Sequence, residues 1–350
     1  MIKRAYGVDL GTSVIKIYKK GKGVVCSEKN IIALKDDKDV LAIGDDAFEM
    51  YEKVPGNVKV TKPVRNGVIA DIANMDKLFT TLLKNISKNG RVKGADFVVA
   101  IPMDITEVEK KAFIDLVDSS KAKNVKIVAK PIAAAVGVGI DVNRAKGAMI
   151  VDIGASTTEI SIISLGGIVL SKLLPFGGDT FNDAIVAAVK KNYNLLIGNK
   201  TASKLKKTLG NITKVSKNVY ELNDEIDVEK SEMITSMAVY GRNMITGLPE
   251  QVEVDASLVV DAMHEILCNI MEGIKVILER TPPEISSDII DTGIYIVGGC
   301  ATINGLDELI RKNTGLRVNI CEKPQNCVVD GVGIIIENNQ LSKLVCKNVR

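Results

Sequence analysis

Two short segments of this chain, about 140 residues apart, repeat one order of an acidic residue, a glycine and hydroxyl side chains. They read Val8-Asp9-Leu10-Gly11-Thr12-Ser13 and Val151-Asp152-Ile153-Gly154-Ala155-Ser156-Thr157. Each segment lies between two apolar runs, which predicts a β-hairpin with a tight turn at the glycine. Backbone N–H groups at such a turn can approach an anion, and each carboxylate can hold a divalent cation directly or through water. The repeat therefore predicts two related half-domains that clamp a magnesium polyphosphate between them.

The composition argues against several classes of function. A chain of 350 residues, 46% of them apolar, predicts two domains with aliphatic cores. The net charge of +3 comes from interspersed charges, so we expect no nucleic-acid partner. Six cysteines without a CxxC pair and a single histidine, His264, argue against a disulfide scaffold, a zinc site and histidine-based nucleophilic catalysis. The sequence shows no signal peptide and no apolar run of about 18 residues, so we expect a cytoplasmic protein.

Strand and helix patterns alternate along the chain, which predicts an α/β fold. Besides the two hairpins, strands are predicted at 97–101, 125–129 and 294–297. Helices are predicted at 75–86, 106–118, 180–193, 201–209 and 257–279, and one more begins at Pro131. Thr106 and Glu109 have the spacing of a capping box at the start of the second of these helices. The more polar stretch 30–73 is predicted to be an inserted lobe.

The best-known nucleotide motifs are absent. The sequence contains neither a GxxxxGK[ST] loop nor a GxGxxG segment after a strand, so a P-loop or Rossmann site is not supported. A glycine pair, Gly298-Gly299, does follow the predicted strand at 294–297. It would let a flat ligand lie against the backbone, and a simple turn is an equal alternative.

The order of these motifs resembles the actin/Hsp70/sugar-kinase superfamily, and the segments between them resemble MreB, the family of bacterial actins. The segments that carry the MreB resemblance, from about residue 5 to 335, are Pro55-Gly56-Asn57, Gly67-Val68-Ile69-Ala70-Asp71, Ile105-Thr106-Glu107-Val108-Glu109, Ile163-Ser164-Leu165-Gly166-Gly167-Ile168-Val169, Tyr193-Asn194-Leu195-Leu196-Ile197-Gly198, Gly241-Arg242, Thr246-Gly247-Leu248-Pro249, Thr281-Pro282-Pro283-Glu284 and Asp288-Ile289-Ile290. The resemblance implies an actin-like fold of two related α/β domains, each with an inserted subdomain, and a nucleotide cleft between them. Domain I would comprise 1–140 and 320–350, with an insert at about 30–74. Domain II would comprise 141–319, with an insert at about 182–254.

The same resemblance implies the residues that bind the nucleotide, with ATP or ADP and Mg²⁺ as cofactors. Position by position, the nucleotide-binding residues would be Asp9, Gly11, Thr12, Ser13, Asp152, Gly154, Ala155, Ser156, Thr157, Gly178, Asp179, Lys206, Gly298, Gly299, Cys300 and Ala301. Asp9 and Asp152 would hold the metal through water, and Thr157 would also be catalytic.

The chain departs from the MreB pattern at positions that would face the terminal phosphate. Lys130 stands before Pro131, where the family carries a glutamate that positions the attacking water. A charged ammonium cannot accept a proton, and loss of such a group typically costs about 10²–10⁴-fold in rate, so we predict weak or absent ATP hydrolysis. Lys130 could instead attract the phosphate or point to solvent. Ala155 and Ser156 replace two glycines, which either strains a left-handed backbone or adds a hydroxyl donor.

The resemblance also implies the partners. We expect self-assembly into head-to-tail protofilaments that could pair, at the inner face of the membrane as part of the cytoskeleton, with other MreB-like subunits or envelope proteins as further candidates. Direct membrane insertion is not expected, because only residues 1–4 precede the first strand and the loop 87–95 carries three cations and one large apolar residue. The alternatives are an actin-fold phosphotransferase, for which no substrate motif is present, and an Hsp70-like nucleotide switch, for which no peptide-binding domain is present.

Overall fold

The computed structural model describes residues 4–87, 92, 94–212 and 234–347 of the chain. Two expectations about membrane contact fall mainly outside these residues. Segment 1–4 is described only at Arg4, and loop 87–95 only at Ser87, Val92, Gly94 and Ala95. Residues 213–233, within the inserted segment expected at 182–254, also lie outside the described part.

Strands and helices alternate as the α/β pattern predicts. In chain order the strands are β1 Ala5–Leu10, β2 Val14–Lys19, β3 Gly23–Lys29, β4 Ile32–Lys35, β5 Asp39–Ile43, β6 Val58–Thr61, β7 Val64–Arg65, β8 Val68–Ile69, β9 Asp96–Ile101, β10 Asn124–Ala129, β11 Ala148–Ile153, β12 Thr158–Ser164, β13 Gly167–Leu174, β14 Leu195–Leu196, β15 Ser236–Asn243, β16 Pro249–Asp255, β17 Ile294–Val297, β18 Val318–Ile320 and β19 Cys346–Lys347. The α-helices are α1 Gly44–Met50, α2 Ile72–Ile86, α3 Glu107–Ser119, α4 Lys130–Gly137, α5 Gly178–Tyr193, α6 Asn199–Leu209, α7 Ala256–Glu279, α8 Pro283–Thr292, α9 Leu306–Thr314 and α10 Cys327–Glu337. Short 3-10 turns lie at Gly299–Thr302, Pro324–Asn326 and Asn339–Leu344.

Two large sheets share one internal plan. The first has the order β19-β10-β9-β1-β2-β3 and the second has the order β13-β12-β11-β17-β18. In each sheet an antiparallel hairpin, β1–β2 or β11–β12, lies beside a parallel strand, β9 or β17. Both hairpins predicted from the repeated acidic-glycine segments are confirmed. The repeat in the sequence is therefore a repeat of sheet architecture.

Local sequence signals set where the helices begin. Helix α3 begins with the predicted capping box: the Glu109 N–H donates to the Thr106 hydroxyl at 3.3 Å and the Thr106 N–H donates to the Glu109 carboxylate at 2.8 Å. Helix α2 begins at Ile72, three residues before the predicted start, because the Asp71 carboxylate accepts the Asn74 N–H at 3.0 Å. A side-chain cap of this kind satisfies a backbone donor that the first helical turn leaves free.

Each large sheet has its own apolar core, and a third core joins them. That third core lies around α4 and α10 and includes buried side chains of both sheets, among them Val98, Ile150 and Val297. The two helices cross so closely that a Cβ on Gly137 would strike the Cys327 carbonyl, and one on Gly331 would strike the Ala133 carbonyl. This tight crossing makes α4 and α10 the structural connection between the two sheets.

Smaller sheets project from both halves. The order β5-β4-β6 forms one of them in the region expected to be the first insert, and β14-β15-β16 forms another in the region expected to be the second. Strand β19, near the C-terminus, pairs with β10 of the first sheet, so both ends of the chain contribute to that sheet. Helix α5 is continuous through position 182, where the second insert was expected to begin. Within the described ranges, no helix combines the length and apolar character needed to cross a membrane.

Candidate functional site

A cavity of about 590 Å³ lies between the two hairpin tips, within the usual size range of sites for small molecules. Nearly all the residues proposed from the sequence line it. Those that do are Asp9, Gly11, Thr12, Ser13, Lys130, Asp152, Gly154, Ala155, Thr157, Gly178, Asp179, Lys206, Gly298, Gly299 and Cys300. Ser156 and Ala301 are buried beside the cavity without lining it.

The two hairpin tips contact each other directly. The Ser156 hydroxyl donates to the Thr12 hydroxyl oxygen at 2.9 Å, and both side chains are buried. Ser156 stands where the family pattern has a glycine, and its added hydroxyl therefore joins the second tip to the first by a hydrogen bond. Neither Ala155 nor Ser156 has a positive φ, so the left-handed backbone strain that was one alternative for these two residues does not arise.

Lys130 lies at the base of the cavity, at the start of α4, and its ammonium binds a carboxylate of the other half of the molecule. Its Nζ lies 2.9 Å from Oδ2 of Asp152, and 20% of the lysine side chain is exposed. Burial alone would lower the pKa of Lys130, but the carboxylates of Asp152, Asp9 and Glu159 outweigh that effect and raise it. The ammonium stays charged at physiological pH. The alternative that Lys130 points to solvent does not match this geometry.

Each hairpin aspartate has a charged cross-strand neighbour, and the two neighbours have opposite sign. Asp9 pairs in register with Lys16 on β2, whereas Asp152 pairs in register with Glu159 on β12. Burial raises the pKa of Asp9, although Lys130 and Lys16 act in the opposite direction. Burial also raises the pKa of Glu159 to about 7, against the opposing effects of Lys130 and the Met103 N–H. The second hairpin thus carries two facing carboxylates, and Lys130 lies close enough to offset part of their negative charge.

The donor set at Asp9 and Asp152 does not suit a divalent cation in this arrangement. Mg²⁺ binds carboxylates in octahedral geometry with several waters, whereas Asp152 already binds an ammonium. Among the described residues, no group of three or more His, Cys, Asp and Glu side chains could hold a metal ion. Magnesium binding by these two aspartates stays a prediction, and the arrangement of charges argues against it.

The opposite end of the cavity is built from glycines and buried polar contacts. Gly298 has a φ of 90° and lies so close to the Ile153 carbonyl that a side chain would clash with it. Lys206 donates from Nζ to the Gly178 carbonyl at 2.6 Å, and burial lowers the pKa of its ammonium. Asp179 forms an ion pair with Lys62 at 3.4 Å. Lys206 therefore supports the start of α5 besides lining the cavity.

Sequence reasoning missed several residues that the fold brings to the cavity, namely Lys16, Glu159, Pro324 and Gln325. Lys16 and Glu159 each lie opposite the aspartate of their hairpin, so the register of each predicted hairpin is the sequence signal that indicates them. Pro324 and Gln325 carry no such signal, because they reach the site through a contact between distant segments: the Gly298 N–H donates to the Pro324 carbonyl at 2.9 Å.

Comparison with known proteins agrees with this architecture. The sequence profile of the family described as MreB/Mbl protein matches residues 3–344. The cell shape-determining protein Mbl of Bacillus subtilis (strain 168) is 35% identical over 339 residues, covering 97% of each chain. The structure of MreB5 of Spiroplasma citri bound to AMPPNP superposes with a TM-score of 0.86 at 30% identity and covers 98% of both chains. A chain of the MamK double helical filament shares the fold, with a TM-score of 0.73 at 21% identity over 96% of this chain and 99% of that one. The predicted actin-like fold class is confirmed.

Proposed function

The chain belongs to the MreB/Mbl family, and from that premise we propose that it is an ATP-binding filament subunit of the cytoskeleton with weak or absent ATP hydrolysis. Its role would be in cell shape or cell mechanics, as the name of its relative Mbl suggests. Domain I would be formed by both ends of the chain and domain II by the middle. The observation that carries the hydrolysis proposal is the ion pair between Lys130 and Asp152.

The charges around the cavity support nucleotide binding. Among the residues that the structure describes, five lysines line it: Lys16, Lys29, Lys130, Lys206 and Lys207. They face four carboxylates, those of Asp9, Asp152, Glu159 and Asp179. Lysines therefore outnumber carboxylates around the cavity, where burial raises the pKa of Glu159 to about 7 and lowers the pKa of Lys16 and Lys206. A polyphosphate complements such a site, and the related MreB5 binds AMPPNP.

The position of Lys130 opposes hydrolysis for a chemical reason. A water that attacks phosphorus must be oriented and must lose a proton to an acceptor, whereas an ammonium has no free lone pair. The carboxylate held by Lys130 is also unavailable as an acceptor while the pair is formed. Glu159, with its pKa of about 7, also lines the cavity beside Lys130 and could serve as a base.

The test compares nucleotide binding with phosphate release in the same samples. We expect the purified protein to bind a fluorescent ATP analogue while releasing phosphate at a rate close to background. Lys130→Glu, assayed with Mg²⁺, should release phosphate faster, whereas the exposed control Lys123→Glu should not. Brisk turnover by the unmodified protein, unaffected at position 130, would contradict the proposal and make Glu159→Gln the next variant to measure.

Self-assembly is supported by an apolar tip on the second inserted sheet. The turn between β15 and β16 exposes Met244, Ile245 and Leu248, with 77% of Ile245 and 65% of Leu248 accessible. Asn243 stabilises this turn, since its side-chain oxygen accepts a hydrogen bond from the Ile245 N–H at 2.7 Å. Exposed apolar side chains on a rigid tip favour contact with a different face of a second copy, and such a heterologous contact gives open filaments.

This contact is tested by changing side chains that make no contribution to the core. Ile245→Asp should greatly reduce sedimentation of polymer with ATP, because a charged side chain opposes an apolar contact. The exposed side chain can be replaced without unfolding the turn. Val108→Asp is the matched control, since Val108 is 80% exposed on α3, which is a different element from this tip. Equal sedimentation of both variants and the parent would exclude the tip as an assembly contact.

A further inference from the structure

Two cysteines beside the cavity hold their sulfurs close to bonding distance. Cys321 directly follows β18 and Cys327 begins α10, and their Sγ atoms are 2.9 Å apart. A disulfide bond is about 2.0 Å long, so closing it requires a relative movement of only about 1 Å. Cys327 is buried, whereas Cys321 is partly exposed. One thiol is thus accessible to reagents in solution and the other is positioned to react with it.

The segment between these cysteines forms one wall of the cavity. It contains the 3-10 turn Pro324–Asn326. The Pro324 carbonyl accepts the Gly298 N–H at 2.9 Å, and the Gln325 carbonyl accepts a hydrogen bond from the Lys16 ammonium. Both donors belong to elements that line the cavity, one from each sheet. A covalent link across the base of this turn would therefore fix the carbonyls that hold Gly298 and Lys16.

We propose that Cys321 and Cys327 form a reversible disulfide that fixes this wall and slows release of the bound nucleotide. The disulfide itself does not depend on the proposed function, whereas its effect on nucleotide release rests on it. The reduced state is expected to dominate in a reducing compartment, so the bond would form on exposure to an oxidant rather than serve as a permanent scaffold.

The oxidant is a low-molecular-weight disulfide such as oxidised glutathione. The Cys321 thiolate attacks one of its sulfurs, which forms a mixed disulfide and releases one glutathione thiolate. The Cys327 thiol then loses its proton and attacks the Cys321 sulfur, which releases the second glutathione. Two protein thiols are oxidised to one disulfide, and one glutathione disulfide is reduced to two thiols. Burial raises the pKa of Cys327 and so disfavours its thiolate, but the 2.9 Å distance between the two sulfurs favours the second step because that attack is intramolecular.

The first experiment maps the bond in the full chain. Protein is equilibrated with mixtures of reduced and oxidised glutathione, quenched with acid, alkylated and cleaved after Glu322, which separates the two cysteines. We expect the two fragments to stay joined until a reductant is added. Cys346→Ser, which removes an exposed cysteine, should not change this result, whereas Cys321→Ser should abolish it. Full alkylation of both thiols at every glutathione ratio would overturn the proposal.

The second experiment measures dissociation of a fluorescent ATP analogue from the oxidised and reduced protein. We expect dissociation to be several-fold slower after oxidation, and Cys321→Ser should show one rate under both conditions. Equal rates in a protein whose disulfide has been mapped would refute the link to the nucleotide. If neither form binds the analogue, the proposed nucleotide function fails, and the peptide map still decides whether the disulfide exists.

Discussion

Replacing Lys130 with glutamate is the most direct test of how the charges of the cavity are balanced. The substitution removes the ammonium that lies 2.9 Å from Asp152 and adds a carboxylate beside Asp152, Asp9 and Glu159. Breaking a buried ion pair by removing one partner costs about 3–5 kcal/mol, because the other charge stays buried without compensation. For domains of this size, such a loss lowers the melting temperature by roughly 10 °C.

The assay is thermal unfolding without nucleotide, in chelator and in millimolar Mg²⁺. We expect Lys130→Glu to be strongly destabilised in chelator and to recover much of the loss with Mg²⁺, because the added carboxylate completes a set of ligands for a divalent cation. The unmodified protein should melt at the same temperature in both buffers, since Lys130 supplies the positive charge. Lys130→Met removes the cation without adding an anion, so its loss should be smaller and insensitive to Mg²⁺.

Two results would refute this reasoning. If Lys130→Glu melts within error of the exposed-site control Lys123→Glu, the pair with Asp152 does not contribute to stability. If Mg²⁺ raises the melting temperature of the unmodified protein as much as that of the variant, the aspartates bind the metal in the presence of Lys130. The prediction that Asp9 and Asp152 hold magnesium would then be favoured over charge compensation by the lysine.

Three further predictions follow from single contacts. Gly298→Ala should destabilise the protein by about 2 kcal/mol and weaken nucleotide binding, as measured by urea unfolding and titration, because a side chain at a φ of 90° meets the Ile153 carbonyl. Ser156→Ala and Thr12→Val should each cost about 1 kcal/mol, and a double-mutant cycle should show that the two losses are not additive, because the two side chains share one hydrogen bond. Glu159 has a pKa of about 7 in the folded protein against 4.5 as its ordinary value, so the native state binds the proton more tightly. Unfolding free energy should fall as pH rises from about 4.5 to 7, by up to roughly 3 kcal/mol from this group, and Glu159→Gln should remove that part of the slope.

The parts of the fold that depend on local patterns could be predicted from the sequence. The capping box of Thr106 and Glu109 fixes the start of α3 through contacts three residues apart, and the acidic-glycine turns fix both hairpins. The apolar stripe predicted at 257–279 is buried along α7. These features are determined by neighbours in the sequence, which is why residue patterns suffice to find them.

The partners of the site residues could not be predicted, because they depend on contacts between distant segments. Nothing near Lys130 in the sequence indicates Asp152, and the sequence is equally compatible with a side chain that faces phosphate or solvent. Similarly, the spacing of Cys321 and Cys327 matches no CxxC pattern, yet a 3-10 turn brings their sulfurs together. Whether Ala155 and Ser156 strain the backbone depends on their φ angles, which no sequence pattern supplies.

Three polar contacts at the base of the cavity join the two halves of the molecule. They are Ser156 to Thr12 at 2.9 Å, Lys130 to Asp152 at 2.9 Å and the Met103 N–H to Glu159 at 2.8 Å. Each links an element of the first sheet to an element of the second, beside the tight crossing of α4 and α10.

A ligand can shift an equilibrium between open and closed clefts only by its differential affinity for the two states. Because these three contacts contribute to holding the two halves together, a bound nucleotide has less to add to closure of the cleft. We therefore expect the critical concentration for assembly to depend weakly on whether ATP, ADP or no nucleotide is present. Disrupting the pair of hydroxyls with Ser156→Ala should make assembly more dependent on ATP, because the nucleotide must then supply the closure that the protein has lost.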